Sequence, residues 1–175
     1  MKRSLLVLSL MLSSLAFWGC GGGRTGSAAT LPDGSRIAIL VFTDRGVTPD
    51  MPPDKVSQID QLSSWMEGDL MDILNKTGYA ASQIGDPNTP TGPGRYVLRI
   101  KVTDYNAGSK AARMLVGWGA GAAVLNTHFE LYGPDSQAPY VVGSPSVGSG
   151  RDWKNSARKV NLQTVDAVNA RLHQR

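Results

Sequence analysis

The sequence predicts an α+β fold: a single domain with a mixed, mainly antiparallel sheet and two amphipathic helices covering one face. Three observations predict it. Apolar residues recur at spacings of three and four over residues 55–76 and again over 152–172. Apolar and polar residues alternate in "YVLRIKVTDY" and "AVLNTHFELYG", and the order along the chain reads β, α, β, β, β, β, α. A period of 3.6 marks a helix face and a period of 2 a strand face. Strands grouped between helices favour segregated layers over alternating ones.

Each element is justified by its own residues. "RIAILVF", residues 36–42, is continuously apolar and β-branched, which suits a central strand covered on both faces. The proline-rich "TPDMPPD" then turns the chain, with Asp54 placed to cap a helix. Val56, Ile59, Leu62, Met66, Leu70, Ile73 and Leu74 form that helix's stripe, and Gly78 can close it in a left-handed conformation. Gly68 weakens the middle by roughly 1 kcal/mol against alanine, a cost that close packing on the sheet would offset. "YAASQI" reads as a short edge strand, and the prolines and glycines of "GDPNTPTGPG" force a loop over 85–94. In the next strand Tyr96, Leu98, Ile100 and Val102 face the core, with Arg99, Lys101 and Thr103 on the other side. Leu125, Thr127, Phe129 and Leu131 do the same in its partner, opposite Asn126, His128 and Glu130. The two strands suit a long hairpin. "PYVVGS" offers another strand, and Trp153, Ala157, Val160, Val168 and Leu172 form the second helix's stripe.

The amino terminus carries an address. Lys2 and Arg3 precede an uncharged, leucine-rich run over residues 4–18, the charged head and apolar middle of a signal peptide. The run falls short of the roughly 20 apolar residues a spanning helix requires. Cys20, the chain's single cysteine, comes after Gly19 and precedes Gly21, Gly22 and Gly23. This resembles a bacterial lipobox, with Phe17 and Trp18 bulkier than that signal's usual residues. The resemblance implies that residues 1–19 are removed and that Cys20 is acylated. Several acyl chains make a stable membrane anchor where one does not. Gly21 after that cysteine implies sorting to the outer membrane with the folded part facing the periplasm. Residues 20–35 then read as acylated cysteine and flexible tether, and residues 36–175 as the domain. With 18 basic and 14 acidic residues the formal charge is +4, and losing Lys2 and Arg3 leaves about +2. Such a balance gives no reason to expect a nucleic-acid partner.

"RMLVGWGAGAAVL", residues 113–125, sets Gly117, Gly119 and Gly121 at alternate positions around Trp118. A dinucleotide fingerprint needs GxGxxG between a strand and a helix. Here the third glycine comes one position early and the next element is a strand, so the glycines suit close backbone approach or a bulge. Together with the alternating strands and the lipobox, Gly108, Arg113, Gly117, Trp118, Gly119, Ala120 and Gly121 resemble a family of small bacterial lipoproteins defined only as a domain of unknown function. Ala122 departs from that family's pattern, where lysine is common. The resemblance implies a compartment and an interaction motif, Arg113, Gly117, Trp118, Gly119 and Gly121, and no catalytic residue. In architecture the chain is also similar to periplasmic domains of curli-secretion and TolB-like proteins.

No enzyme, metal or cofactor is expected. His128 and His173 form no metal-ligand spacing, Glu67 and Glu130 lie far apart, and no GxSxG elbow occurs. Asp44 and Asp104 end predicted strands, where aspartates commonly begin turns. Arg151, Lys154, Arg158 and Lys159 read as a solvated helix face or as an attraction for anionic head groups. The expectation is therefore a membrane-anchored, non-catalytic structural or assembly component of the cell envelope. Its partners would be the membrane, through the acyl chains, and an envelope protein or a second copy of itself. The alternative is a periplasmic module that binds a lipid or another small ligand.

Overall fold

In the computed structural model the described residues are 27–106, 123–134, 136–149 and 152–174. Among them are β1 (Ala38–Asp44), α1 (Pro53–Thr77), β2 (Ala80–Gln83), β3 (Arg95–Asn106), β4 (Ala123–Tyr132), β5 (Val141–Gly143), β6 (Ser146–Ser149) and α2 (Trp153–Leu172). The α+β class predicted from periodicity is the observed one. The sheet runs β2-β1-β3-β4-β5, with β6 also paired to β4. β1 is parallel to β2 and β3, while β3, β5 and β6 are antiparallel to β4. The expected hairpin is the β3–β4 pair, which shifts register between Val102 and Asp104.

The strand predicted at "PYVVGS" is β5, and β6 is a further short strand beyond that stretch. β5 and β6 both lie along β4, separated by Ser144 and Pro145. Proline has no N–H to give the ladder, so pairing stops there. The Thr127 N–H takes the Pro145 carbonyl at 3.1 Å in its place.

Two expectations about α1 are corrected. Its N-cap is Pro52, with no side-chain cap, and Asp54 lies inside the first turn. Proline suits that turn because the first N–H groups have no helical acceptor, and the aspartate faces the positive helix end. Gly68 does not pack on the sheet: it is exposed, and a methyl built there meets nothing within 4 Å. At the other end Gly78 has φ 120°, and its N–H reaches the carbonyls of Leu74 and Asn75. That closure is as the sequence predicts.

Both helices cover the same face. Leu70, Ile73 and Leu74 of α1 meet Val165, Val168 and Leu172 of α2 over Ile39, Val41, Leu98, Ile100, Phe129 and Leu131. A second cluster joins Leu62 and Met66 to Ala157, Val160, Val102, Leu125 and Val147. Burying each such side chain contributes roughly 1.5–3 kcal/mol. The helices are also clamped by polar groups. Asn161 Nδ2 donates to the Met66 carbonyl at 2.9 Å and to Asp69 Oδ2 at 3.0 Å, and Arg158 pairs with Asp69 at 2.8 Å. Arg158 is thus bound into the fold rather than part of a free basic face.

Residues 28–31 lie against the domain: Ala28 N–H donates to the Thr77 carbonyl at 2.9 Å, and Ala28, Ala29 and Leu31 pack on the first cluster. No described helix is long and apolar enough to cross a membrane.

β1 departs from the expectation of two covered faces. Ile39 and Val41 are buried under the helices, whereas Leu40 and Phe42 on the other face are only half-buried. A continuous apolar run fits either situation, and strand order decides between them. β2 and β3 flank β1 and are both parallel to it, so residues 84–94 must cross β1 over one face. The helices occupy one face; the loop takes the other.

Candidate functional site

The residues singled out in the sequence, Cys20, Arg113, Gly117, Trp118, Gly119 and Gly121, lie outside the described residues. Their neighbours are described. β3 runs to Asn106 and β4 begins at Ala123, with Asn106 paired to Val124. The glycine segment therefore joins two antiparallel strands and leads into a strand, not into the helix a dinucleotide site requires. Next to these strand ends, half-buried Trp65 and Trp153 meet edge to face at 5.6 Å and, with Tyr105, flank the second cluster.

The described residues that can act chemically gather on the sheet face away from the helices. Register places them together: Phe42 with Arg99 and Asp44 with Lys101 on β1 and β3, then Arg99 with Glu130 and Lys101 with His128 on β3 and β4. Lys101 pairs with Asp44 at 3.2 Å. Glu130 accepts from the Tyr132 hydroxyl at 2.8 Å and faces His128 Nε2 at 3.6 Å, and His128 Nδ1 meets Ser144 at 3.0 Å. Burial, then the hydrogen bond to Glu130, raises the Tyr132 phenol above its usual range. Glu130 and His128 are thus brought together, as their places two positions apart on the outward face of one strand imply.

Other candidates are separated. Glu67 accepts from Thr43 at 3.4 Å, Asp104 is exposed at the register shift, and His173 caps α2 through the Asn169 carbonyl. No group of three or more His, Cys, Asp or Glu among the described residues could hold a metal.

Where the crossover loop meets the sheet lies a groove of about 470 Å³. Asn88 and Thr89 come from the loop, Arg99 and Tyr132 from β3 and β4, and Ser136 and Gln137 from the chain after β4. Arg99 is held rather than free to sweep. Its Nε and Nη2 donate to the Pro87 carbonyl at 3.2 and 2.7 Å, and its guanidinium lies 4.3 Å from the Tyr132 ring centroid. Strand alternation puts Arg99 on this face but gives no sign of the groove. Such a site needs the fold to bring a distant loop over the strand.

Residues 32–168 match the family described as a domain of unknown function, DUF4410. No match is found among curated proteins. Among solved structures, protein XCC0632 from Xanthomonas campestris, of family DUF330, is 15% identical and superposes with a TM-score of 0.51 over 86% of this chain and 93% of its own. That likeness is one of fold. The PelC dodecamer from Paraburkholderia phytofirmans is 16% identical, with a TM-score of 0.49 over 82% of this chain and 93% of its own. A minor lipoprotein from Acinetobacter baumannii is 12% identical, with a TM-score of 0.43 over 77% of this chain and 93% of its own.

Proposed function

The chain belongs to the DUF4410 family, and from that premise we propose that it is a lipid-anchored, periplasm-facing component of the bacterial outer membrane whose role is to dock, not to catalyse. Cys20 supplies the anchor, and the uncovered sheet face together with the glycine motif of the β3–β4 connection supplies the contact surface. The observation that carries the docking role is the sheet face that the helices leave uncovered. On it Lys101 pairs with Asp44, His128 Nε2 lies 3.6 Å from Glu130, the Arg99 guanidinium lies over the Tyr132 ring, and half-buried Phe42 and exposed Val142 stand on the same face. A mixed surface of paired charges and separated apolar groups suits a partner with a complementary pattern.

Metabolic labelling with an alkynyl fatty acid tests the anchor. The full chain is expected to take up label and to sediment with outer membranes, and Cys20→Ala to take up none. Label on Cys20→Ala would overturn the anchor. For docking, the light-scattering mass of the detergent-solubilised chain is compared with that of Trp118→Ala. A defined oligomer lost in the variant supports self-docking through the glycine segment, and a monomer in both cases removes self-association from the proposal.

A further inference from the structure

Arg99 stands out on the uncovered sheet face because no carboxylate among the described residues forms an ion pair with it. No described carboxylate lies within 4.0 Å of its guanidinium, which donates to the Pro87 carbonyl and also meets the Tyr132 side chain. The carboxylate in register with it, Glu130, is turned to the Tyr132 hydroxyl and His128. The neighbouring cation, Lys101, by contrast has Asp44. A half-buried cation left without a counter-charge is costly, and its planar donor fork matches a carboxylate better than an ammonium does. The cost is accepted here in a fixed geometry, since the Pro87 carbonyl and the Tyr132 ring hold the guanidinium in place.

The surroundings narrow the ligand. Beside Pro90, Val97 and the Tyr132 ring the groove is lined by Asn88, Thr89, Ser136 and Gln137, with the Thr89 and Ser136 hydroxyls donating to the Asp86 and Ala138 carbonyls, and its volume falls in the range of small-molecule sites. Uncharged donors and acceptors around one cation suit a molecule with many hydroxyls and one acid group. A polyphosphate would call for several cations, and a fatty acid for apolar walls.

We propose that this groove binds an acidic saccharide, with a uronic-acid carboxylate on the Arg99 guanidinium and sugar hydroxyls on Asn88 and Gln137. The site goes beyond the docking role and stands without it, because the probe is a soluble sugar and the readout does not involve membranes.

The test is calorimetric titration of the full chain, in neutral detergent, with digalacturonate and with the neutral disaccharide cellobiose. Digalacturonate is expected to bind at least about tenfold more tightly than cellobiose, the scale of one charge-assisted hydrogen-bonded pair. Arg99→Gln is expected to lose about that factor, and Lys101→Gln, the same charge change on the same face, to lose little. Gln137 is exposed, so Gln137→Ala keeps the fold and is expected to weaken binding several-fold even if Arg99→Gln unfolds the loop. No heat with digalacturonate, equal affinity for cellobiose, or equal losses from Lys101→Gln and Arg99→Gln would each overturn the site. Displacement by acetate at the same concentration would reduce it to a carboxylate site and sink the saccharide assignment.

Discussion

Tyr79 shows how one buried group ties distant parts of this fold. Its side chain has no exposed surface, it packs in the first cluster, and its hydroxyl donates to Asn169 Oδ1 on α2. Burial raises its pKa from 10.0 to about 12. The folded chain therefore keeps the proton where the unfolded chain gives it up. Below pH 10 both states hold it and the stability is complete; between about 10 and 12 only the unfolded state releases it, and stability falls by roughly 2–3 kcal/mol. Tyr79→Phe has no proton to lose. At pH 8 the variant is expected to be about 1–2 kcal/mol less stable, from the lost hydrogen bond, and the gap from wild type should close as pH rises through 11. Urea midpoints at both pH values measure it. A constant gap would show that Tyr79 does not carry the alkaline loss.

At the scale of elements, α1 contains both a weakness and a clamp. Gly68 is exposed with open space around it, so Gly68→Ala should stabilise the protein by about 1 kcal/mol, read as a higher urea midpoint at unchanged slope. At the next position, Asp69 has only 9% of its side chain exposed and binds both Arg158 and Asn161. Asp69→Ala should cost about 1–3 kcal/mol, and Arg158→Ala less, since Asp69 would still hold Asn161. Equal losses would place the whole effect in the ion pair. Both helices and the strands β1 to β4 are legible in the sequence, because period alone separates their faces. The buried polar seam is not: Ser156, Asn161 and Thr164 are polar and stand outside the apolar stripe read from the sequence, yet all three are buried. Nor is β6, which a proline lying opposite β4 separates from β5. The groove is the least legible. Arg99 looks like any outward strand cation until the order β2-β1-β3 sends residues 84–94 across it.

On the scale of the whole molecule the chain has two ends. Leu31 lies against Gly94, where φ is 68° and an added methyl would stand 2.4 Å from the leucine, so the segment leading from the amino terminus docks where β3 begins. β3 then runs from Arg95 to Asn106, about 35 Å of extended chain, to the end at which the glycine segment connects to β4. If Cys20 holds the membrane, the docked residues 28–31 set the near end of the domain and the strand ends at Asn106 and Ala123 form the far one. Acylation would also leave no free thiol on the wild-type chain, since Cys20 is its single cysteine. A fluorophore on Asp33→Cys or on Asp104→Cys, both exposed positions, therefore reports one end at a time. With an acceptor dye on the lipid head groups, energy transfer should be stronger from position 33 than from position 104. Equal transfer would mean that the tether before residue 27 lets the domain turn freely, and the far end would then have no fixed direction in which to present the glycine motif. Unequal transfer in the opposite sense would put the glycine segment at the bilayer and make it a second membrane contact.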